Sequence, residues 1–139
     1  MRVQGWQRLL ADYILECEER YKAEGFAWGR FDCVHFVGDW VQRCTGEDPI
    51  SEYRDGYSTK EEADAILETE GGLYQALVKR FGEPVHPAKA HRGDIAYVED
   101  ISALGFFVSV GAKTYAIFLG EGGFAMHAAK HVTHAFRVG

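Results

Sequence analysis

Long apolar runs, clustered basic residues and paired cysteines are all missing from this sequence of 139 residues. Because a membrane-spanning helix needs about 20 apolar residues in a row, we predict no transmembrane segment. The first residues contain no apolar core segment, so we expect no signal peptide. Lys and Arg number 15 against 21 Asp and Glu, and no basic run exceeds two residues. Since a nucleic-acid surface needs clustered positive charge, this class of partner is excluded.

The three cysteines, Cys17, Cys33 and Cys44, form neither an even set nor a CxxC motif. A disulfide framework and a zinc knuckle are therefore both disfavoured. A reducing compartment, at least during folding, is the simplest setting for such a chain. His127 and His131 have the spacing of two metal ligands on a helix, but their segment is strand-like. We therefore expect no metal and no cofactor.

Hydrophobic periodicity changes once along the chain, from helical to strand-like. Four helical segments are predicted first, at residues 6–23, 32–45, 58–68 and 73–81. Ser58 and Glu61 form the capping-box pattern at the start of the third. Five short strands follow, in the stretches DIAYV, ALGFFVSV, TYAIFL, FAMHA and HAFRV, and GEGG is a hairpin signal. Because the helices precede the strands, we predict one α+β domain over residues 1–139, with the helices packed on one face of an antiparallel sheet.

The stretch FAWGRFDCVHFVGDWV, residues 26–41, places Cys33 at the start of the second helix. Asp32 is suited to cap that helix. A helix N-terminus favours the thiolate, which is the nucleophilic form of cysteine, whereas the neighbouring carboxylate of Asp32 disfavours it. Two interpretations follow from this stretch: a catalytic nucleophile, or a buried structural thiol. Cys17 and Cys44 fall on the apolar stripes of their helices and are predicted to be core.

A cysteine nucleophile needs a base within hydrogen-bond reach. His35 follows Cys33 by two residues, a rotation of about 200° on a helix, so it is predicted to point away and to pair with Asp39 on the outer face. The base should then come from the sheet, where His127 stands among small residues on one side of its strand. That side is either a site or an exposed face. The other four histidines are predicted to be structural or exposed: His86, His91, His131 and His134.

The Asp-Cys helix, the stretch RGDIAYVE and the strand hairpin after it resemble the NlpC-type cell-wall cysteine peptidases, which have a papain-like fold. More narrowly, the chain resembles short phage and prophage tail proteins of uncharacterised function. The shared features are the Asp-Cys helix, a DP…RDGY connection, GGL, RGD, ALG and an arginine-bearing final strand. The likeness covers residues 26–138. It implies a papain-like α+β domain in a virion tail, assembled in the host cytoplasm, with other tail-tip proteins and peptidoglycan as partners.

The resemblance carries over unevenly from residue to residue. Cys33 matches the family's nucleophile, and Gly93 and Asp94 match the pair that opens the first strand. In the family, a histidine on a sheet strand supplies the base. If ALGFFVSV is aligned with that strand, Ala103 stands at the histidine position. If TYAIFLGEGGFAMHA is aligned instead, Thr114 stands there and His127 becomes the orienting residue. Neither Ala nor Thr accepts a proton at neutral pH.

The missing base suggests that catalysis is lost, because a general base contributes roughly 10²–10⁴ in rate. The catalytic candidates are therefore Cys33 with His127, which would have to reach across a strand as a displaced base. Our first hypothesis is a tail-tip component with a structural or assembly role. The alternative is an active cysteine peptidase or amidase that cleaves peptidoglycan stem peptides during wall penetration.

A tail-tip component must present surfaces to its neighbours. The polar face of the first helix is one candidate. The second is the aromatic loop EYRDGY, in which Tyr53, Arg54 and Tyr57 are predicted to be exposed, since such residues are typical interface anchors.

Overall fold

The computed structural model describes residues 1–139 and contains four α-helices followed by a five-stranded antiparallel sheet. The helices are α1 (Trp6–Glu24), α2 (Cys33–Thr45), α3 (Lys60–Thr69) and α4 (Leu73–Phe81). The strands are β1 (Ile95–Val98), β2 (Ala103–Val110), β3 (Lys113–Gly120), β4 (Gly123–Ala128) and β5 (His134–Phe136). Short 3₁₀ turns lie at Ser51–Tyr53, Pro87–Lys89, Glu99–Ile101 and Ala129–His131. The predicted α+β order, helices first and sheet second, is confirmed.

The capping residues explain where the two central helices begin and end. Asp32 caps α2 as predicted, because its Oδ1 accepts the backbone amide of His35 at 2.9 Å. Gly46 ends α2 in the left-handed conformation, with a φ of 82°. The cap of α3 is Thr59, not Ser58, and its hydroxyl accepts the amide of Glu62 at 3.2 Å. The predicted capping box was therefore wrong by one residue.

The sheet has the strand order β4-β3-β2-β1-β5, and every neighbouring pair is antiparallel. The predicted hairpin at GEGG is the turn between β3 and β4, where Gly120 and Gly123 pair. The helices contribute to an apolar core on one face of the sheet. A second, smaller cluster lies on the opposite face, where residues of the connecting segments, such as Val85 and Ala129, pack against it.

Helix α2 is the centre of the larger core. Phe36 and Trp40 are fully buried, and both rings pack against Phe106 of β2 at centroid distances of 4.7 and 5.9 Å. The Trp40 indole donates a hydrogen bond to the carbonyl of Gly93 at 2.8 Å. The hydroxyl of Tyr13 on α1 donates to the carbonyl of Phe36 at 2.5 Å. These buried polar bonds fix α2 against both α1 and the start of β1.

Asp94, which follows Gly93 directly before β1, binds both chain ends to the sheet. Its carboxylate is 1% exposed and accepts the guanidinium of Arg2 at 2.7 Å and the amide of Val138 at 3.0 Å. It also accepts the amide of His91 at 2.8 Å. The Gly-Asp pair thus has a structural role in this chain. Among the helices, none combines the length and the apolar character that a membrane crossing requires.

Candidate functional site

A cleft of about 810 Å³ opens at the start of α2. We call it the Cys33 cleft. Its walls come from the start of α2, the Tyr53–Tyr57 loop, helix α3, the start of α4 and the turn between β1 and β2. Ten of its sixteen lining residues are hydrophobic, so it could hold apolar side chains of a ligand.

Cys33 is the first residue of α2 and lines this cleft, where it is partly exposed. The residue as a whole is partly exposed, but its thiol is largely enclosed by protein, and this burial, reinforced by the negative charge of Asp32, raises the pKa of Cys33 to about 12. The backbone amides of Val34 and Cys33 favour the thiolate but do not offset burial. Because the thiolate is the nucleophile, Cys33 is in its unreactive form at neutral pH.

The neighbouring Asp32 is the centre of a buried polar cluster. Its carboxylate is 1% exposed and accepts four hydrogen bonds. They come from the amides of Gly29 and His35, both at 2.9 Å, the His35 ring at 2.8 Å and the Tyr57 hydroxyl at 2.5 Å. Burial alone would raise the pKa of Asp32, but the bonds from His35, Tyr57 and Gly29 outweigh it and hold the pKa below its usual value. Asp32 is therefore a buried carboxylate.

His35 was predicted to lie on the outer face of α2 and to pair with Asp39, and that prediction was wrong. His35 is 3% exposed, and its Nδ1 lies 2.8 Å from Asp32 Oδ1. Asp39 instead binds Arg54 at 2.6 Å. The outer side of α2 is covered at this end by the loop that carries Tyr57, so a residue directed away from the sheet still becomes buried.

The two tyrosines of the loop proposed as an exposed partner surface are buried, so that part of the prediction was wrong, whereas Arg54 is half-buried and Glu52, Asp55 and Gly56 are exposed. Tyr53 and Tyr57 are only 5% and 8% exposed. The Tyr53 hydroxyl donates to Glu70, while Tyr57 donates to Asp32. Arg54 binds Asp39 and Asp48, at 2.6 and 2.7 Å. These bonds hold the loop over the start of α2, and both tyrosines form part of the wall of the Cys33 cleft.

The structure does not bring His127 to Cys33. His127 lies on β4 directly opposite Ala116, and its ring packs edge-on against Phe118 at 5.4 Å. Ala116 and Phe118 belong to the cluster on the sheet face away from α2, whereas Cys33 packs against the core on the helical face. Because cross-strand partners share a face, the sheet itself separates the imidazole from the thiol.

The two positions at which the resemblance would place a base, Ala103 and Thr114, do not face Cys33 either. Ala103 packs with the cluster on the far side of the sheet, while its neighbour Leu104 belongs to the core under α2. Thr114 is exposed near the start of β3. None of the six histidines lines the Cys33 cleft. No group of three His, Cys, Asp or Glu side chains is arranged to hold a metal ion.

The fold and the cleft define an α+β domain in which α2, the helix that begins at Cys33, packs against an antiparallel sheet. A family model described as "Domain of unknown function (DUF6950)" matches residues 1–138, and the chain belongs to that family. Neither a curated protein nor a solved structure matches the chain significantly.

Proposed function

We propose that this chain is a catalytically inactive NlpC-like domain that serves as a structural or assembly component of a phage or prophage tail tip. One observation carries the loss of catalysis. The Cys33 thiol lines the Cys33 cleft, its pKa is raised to about 12, and no histidine lines that cleft with it. A protonated thiol without a base cannot begin nucleophilic catalysis.

The polar groups near Cys33 support the same proposal because they already have partners. The protonated Tyr57 hydroxyl donates to Asp32, and His35, whose Nδ1 binds Asp32, does not line the Cys33 cleft, so neither group is placed to accept a proton from the thiol. The Asp32 carboxylate lies next to Cys33 in sequence and disfavours a second negative charge. This cluster stabilises the cleft wall and at the same time suppresses the nucleophile.

The papain-like assignment is supported by the cysteine at the start of a buried helix, the sheet that follows it and the Gly93–Asp94 pair before β1. The tail-tip assignment rests on the sequence resemblance over residues 26–138. A structural component needs no reactive thiol, so Cys33 would be retained as part of the cleft wall.

An active cysteine peptidase is the second candidate, because Cys33 does lie at a helix N-terminus beside an open cleft. The test incubates purified peptidoglycan with the protein and with its Cys33→Ala variant, and measures soluble muropeptides by mass spectrometry. We expect no release above the buffer blank from either protein, while a known cell-wall peptidase in parallel shows that the substrate is cleavable. Muropeptide release that disappears in Cys33→Ala would contradict the proposal.

The assembly role is tested in the phage or prophage that encodes the chain. Deleting the gene should leave tails that are defective, and complementation with Cys33→Ala should restore them. Normal, infective tails from the deletion strain would refute the assembly role. Structurally normal but non-infective particles from the Cys33→Ala strain would favour the enzyme.

A further inference from the structure

We infer that the Cys33 cleft binds an extended segment of a partner protein in which a basic residue stands beside apolar ones. This inference rests on the proposed function, because it assigns the cleft to holding a chain and not to cleaving it. It concerns a different ligand from the stem peptides considered above.

The floor and walls of the cleft favour an apolar ligand. Trp28 and Val34 line it on one side, and Ile66, Leu67 and Leu73 line it on the other. A volume of about 810 Å³ is in the upper part of the range of ligand sites, which is about 300–1,000 Å³, so several side chains fit. Each apolar side chain of a ligand that enters the cleft leaves water, which favours binding, and a segment with several such side chains gains from each of them.

The charge around the cleft favours a basic ligand. Asp64 and Glu68 lie one helical turn apart on α3 and line the cleft together with Lys60. Lys60 is paired with Asp64 at 2.8 Å, and Glu68 has no ion-pair partner. Exposed Glu99 and Asp100 do not line the cleft themselves but directly precede the lining residue Ile101, and neither forms an ion pair. The charged residues that line the cleft, Asp64 and Glu68 against Lys60, therefore carry net negative charge, and Glu99 and Asp100 add negative charge next to Ile101. This charge attracts Lys or Arg and repels phosphate-rich polymers.

The backbone at the cleft suits a polypeptide main chain. Gly71 and Gly72 line it without side chains, so a ligand backbone can approach closely. Gly72 caps α4 without a side-chain hydrogen bond, which leaves the first amides of that helix, beginning with Leu73, without a side-chain acceptor. The carbonyl oxygens of an extended peptide could accept hydrogen bonds from these amides. Apolar side chains, a basic residue and carbonyl oxygens together describe a protein segment.

The experiment sorts a yeast-displayed library of random twelve-residue peptides with the full chain, biotinylated. The enriched peptides are then synthesised with fluorescein, and their binding is measured by fluorescence polarisation. Enriched sequences should contain Lys or Arg next to Leu, Phe or Tyr. Enrichment of acidic peptides, of no consensus, or of no peptide at all would overturn the inference.

Two matched pairs of variants locate the binding. Glu68→Lys and Ile101→Lys each add positive charge to one wall and should weaken binding roughly tenfold or more, which corresponds to about 1.4 kcal/mol. Glu61→Lys makes the same substitution as Glu68→Lys, and Val110→Lys replaces an exposed aliphatic residue as Ile101→Lys does. Both controls lie outside the cleft and should stay within about twofold of the parent. Circular dichroism checks that all four variants fold. Equal losses within both pairs would place the binding elsewhere and overturn the inference.

Mass spectrometry of the bound peptide separates this inference from the proposed function. The peptide should be recovered intact after prolonged incubation. Cleavage that requires Cys33 would refute the proposed loss of catalysis and leave the peptide cleft in place. Intact peptides that bind outside the cleft would refute the inference alone.

Discussion

Asp32→Ala should lower the free energy of unfolding by about 3–5 kcal/mol, the cost typical of breaking a buried charged network. The substitution removes the acceptor for the Tyr57 hydroxyl, the His35 ring and two backbone amides, all of them buried. Each donor left without a partner costs about 1–3 kcal/mol. Since domains are typically stable by only about 5–15 kcal/mol, urea unfolding should show a large fall in the midpoint.

The matched control is Asp12→Ala, which removes an exposed carboxylate on α1 that forms no ion pair. It should change the free energy of unfolding by no more than about 0.5 kcal/mol. A loss in Asp32→Ala no larger than in this control would show that the buried cluster does not stabilise the fold.

The loss of stability in acid should depend on the same buried cluster around Asp32. The pKa of Asp32 is lower in the folded chain than in the unfolded chain, where an Asp has a pKa of about 3.9. The stabilisation from Asp32 is therefore complete above the unfolded pKa and is lost as the pH falls from about 4 through the folded pKa. Unfolding measured between pH 7 and pH 2 should show a smaller acid dependence in Asp32→Asn than in the parent. Identical acid dependence would mean that Asp32 does not titrate in this way.

Gly29→Ala is the second substitution with a large expected effect, a loss of about 2–5 kcal/mol in the free energy of unfolding. Gly29 has a φ of 82°, which disfavours any residue with a Cβ. A Cβ there would also lie 1.9 Å from the carbonyl oxygen of Tyr57, a backbone atom that cannot turn aside. The loop would have to move away from α2, taking the Tyr57 hydroxyl from Asp32. Thermal unfolding by calorimetry measures the loss.

Gly46→Ala separates the two contributions. Gly46 also has a φ of 82°, but a Cβ there meets nothing within 4 Å. This variant should lose only the cost of the left-handed backbone, about 1–2 kcal/mol. Equal losses at positions 29 and 46 would contradict the close contact between Gly29 and Tyr57.

The local pattern around Cys33 predicted the helix but not its surroundings. The cap of α2, its end at Gly46 and the position of Cys33 in the first turn all depend on neighbouring residues, and all three are confirmed. His35 stands three residues after Asp32, a spacing that could have indicated their bond. Tyr57 lies 25 residues from Asp32, and no local pattern links the two. The burial of His35 depends on that distant contact.

The face of the sheet on which His127 lies could be predicted only in part, for a similar reason. Alternation placed His127 correctly on the same side of its strand as Ala125, but alternation alone does not say which side faces the helices. The packing of His127 on Phe118 decides that question. The loop at Tyr53 and Tyr57 has the polar composition of an exposed loop. Arg54 nevertheless binds two carboxylates, one of them on α2, and so holds the loop against that helix.

The most direct test of the account measures the ionisation of Cys33 itself. Iodoacetamide is added between pH 6 and pH 10, and the modified Cys33 peptide is quantified by mass spectrometry in the folded chain and in the urea-unfolded chain. With a folded pKa of about 12 against about 8.5 for a free thiol, Cys33 in the folded chain should react at pH 7 on the order of a thousandfold more slowly, with no inflection below pH 10. An inflection at or below about pH 8 would show an activated thiolate and contradict the inactive domain proposed for this chain.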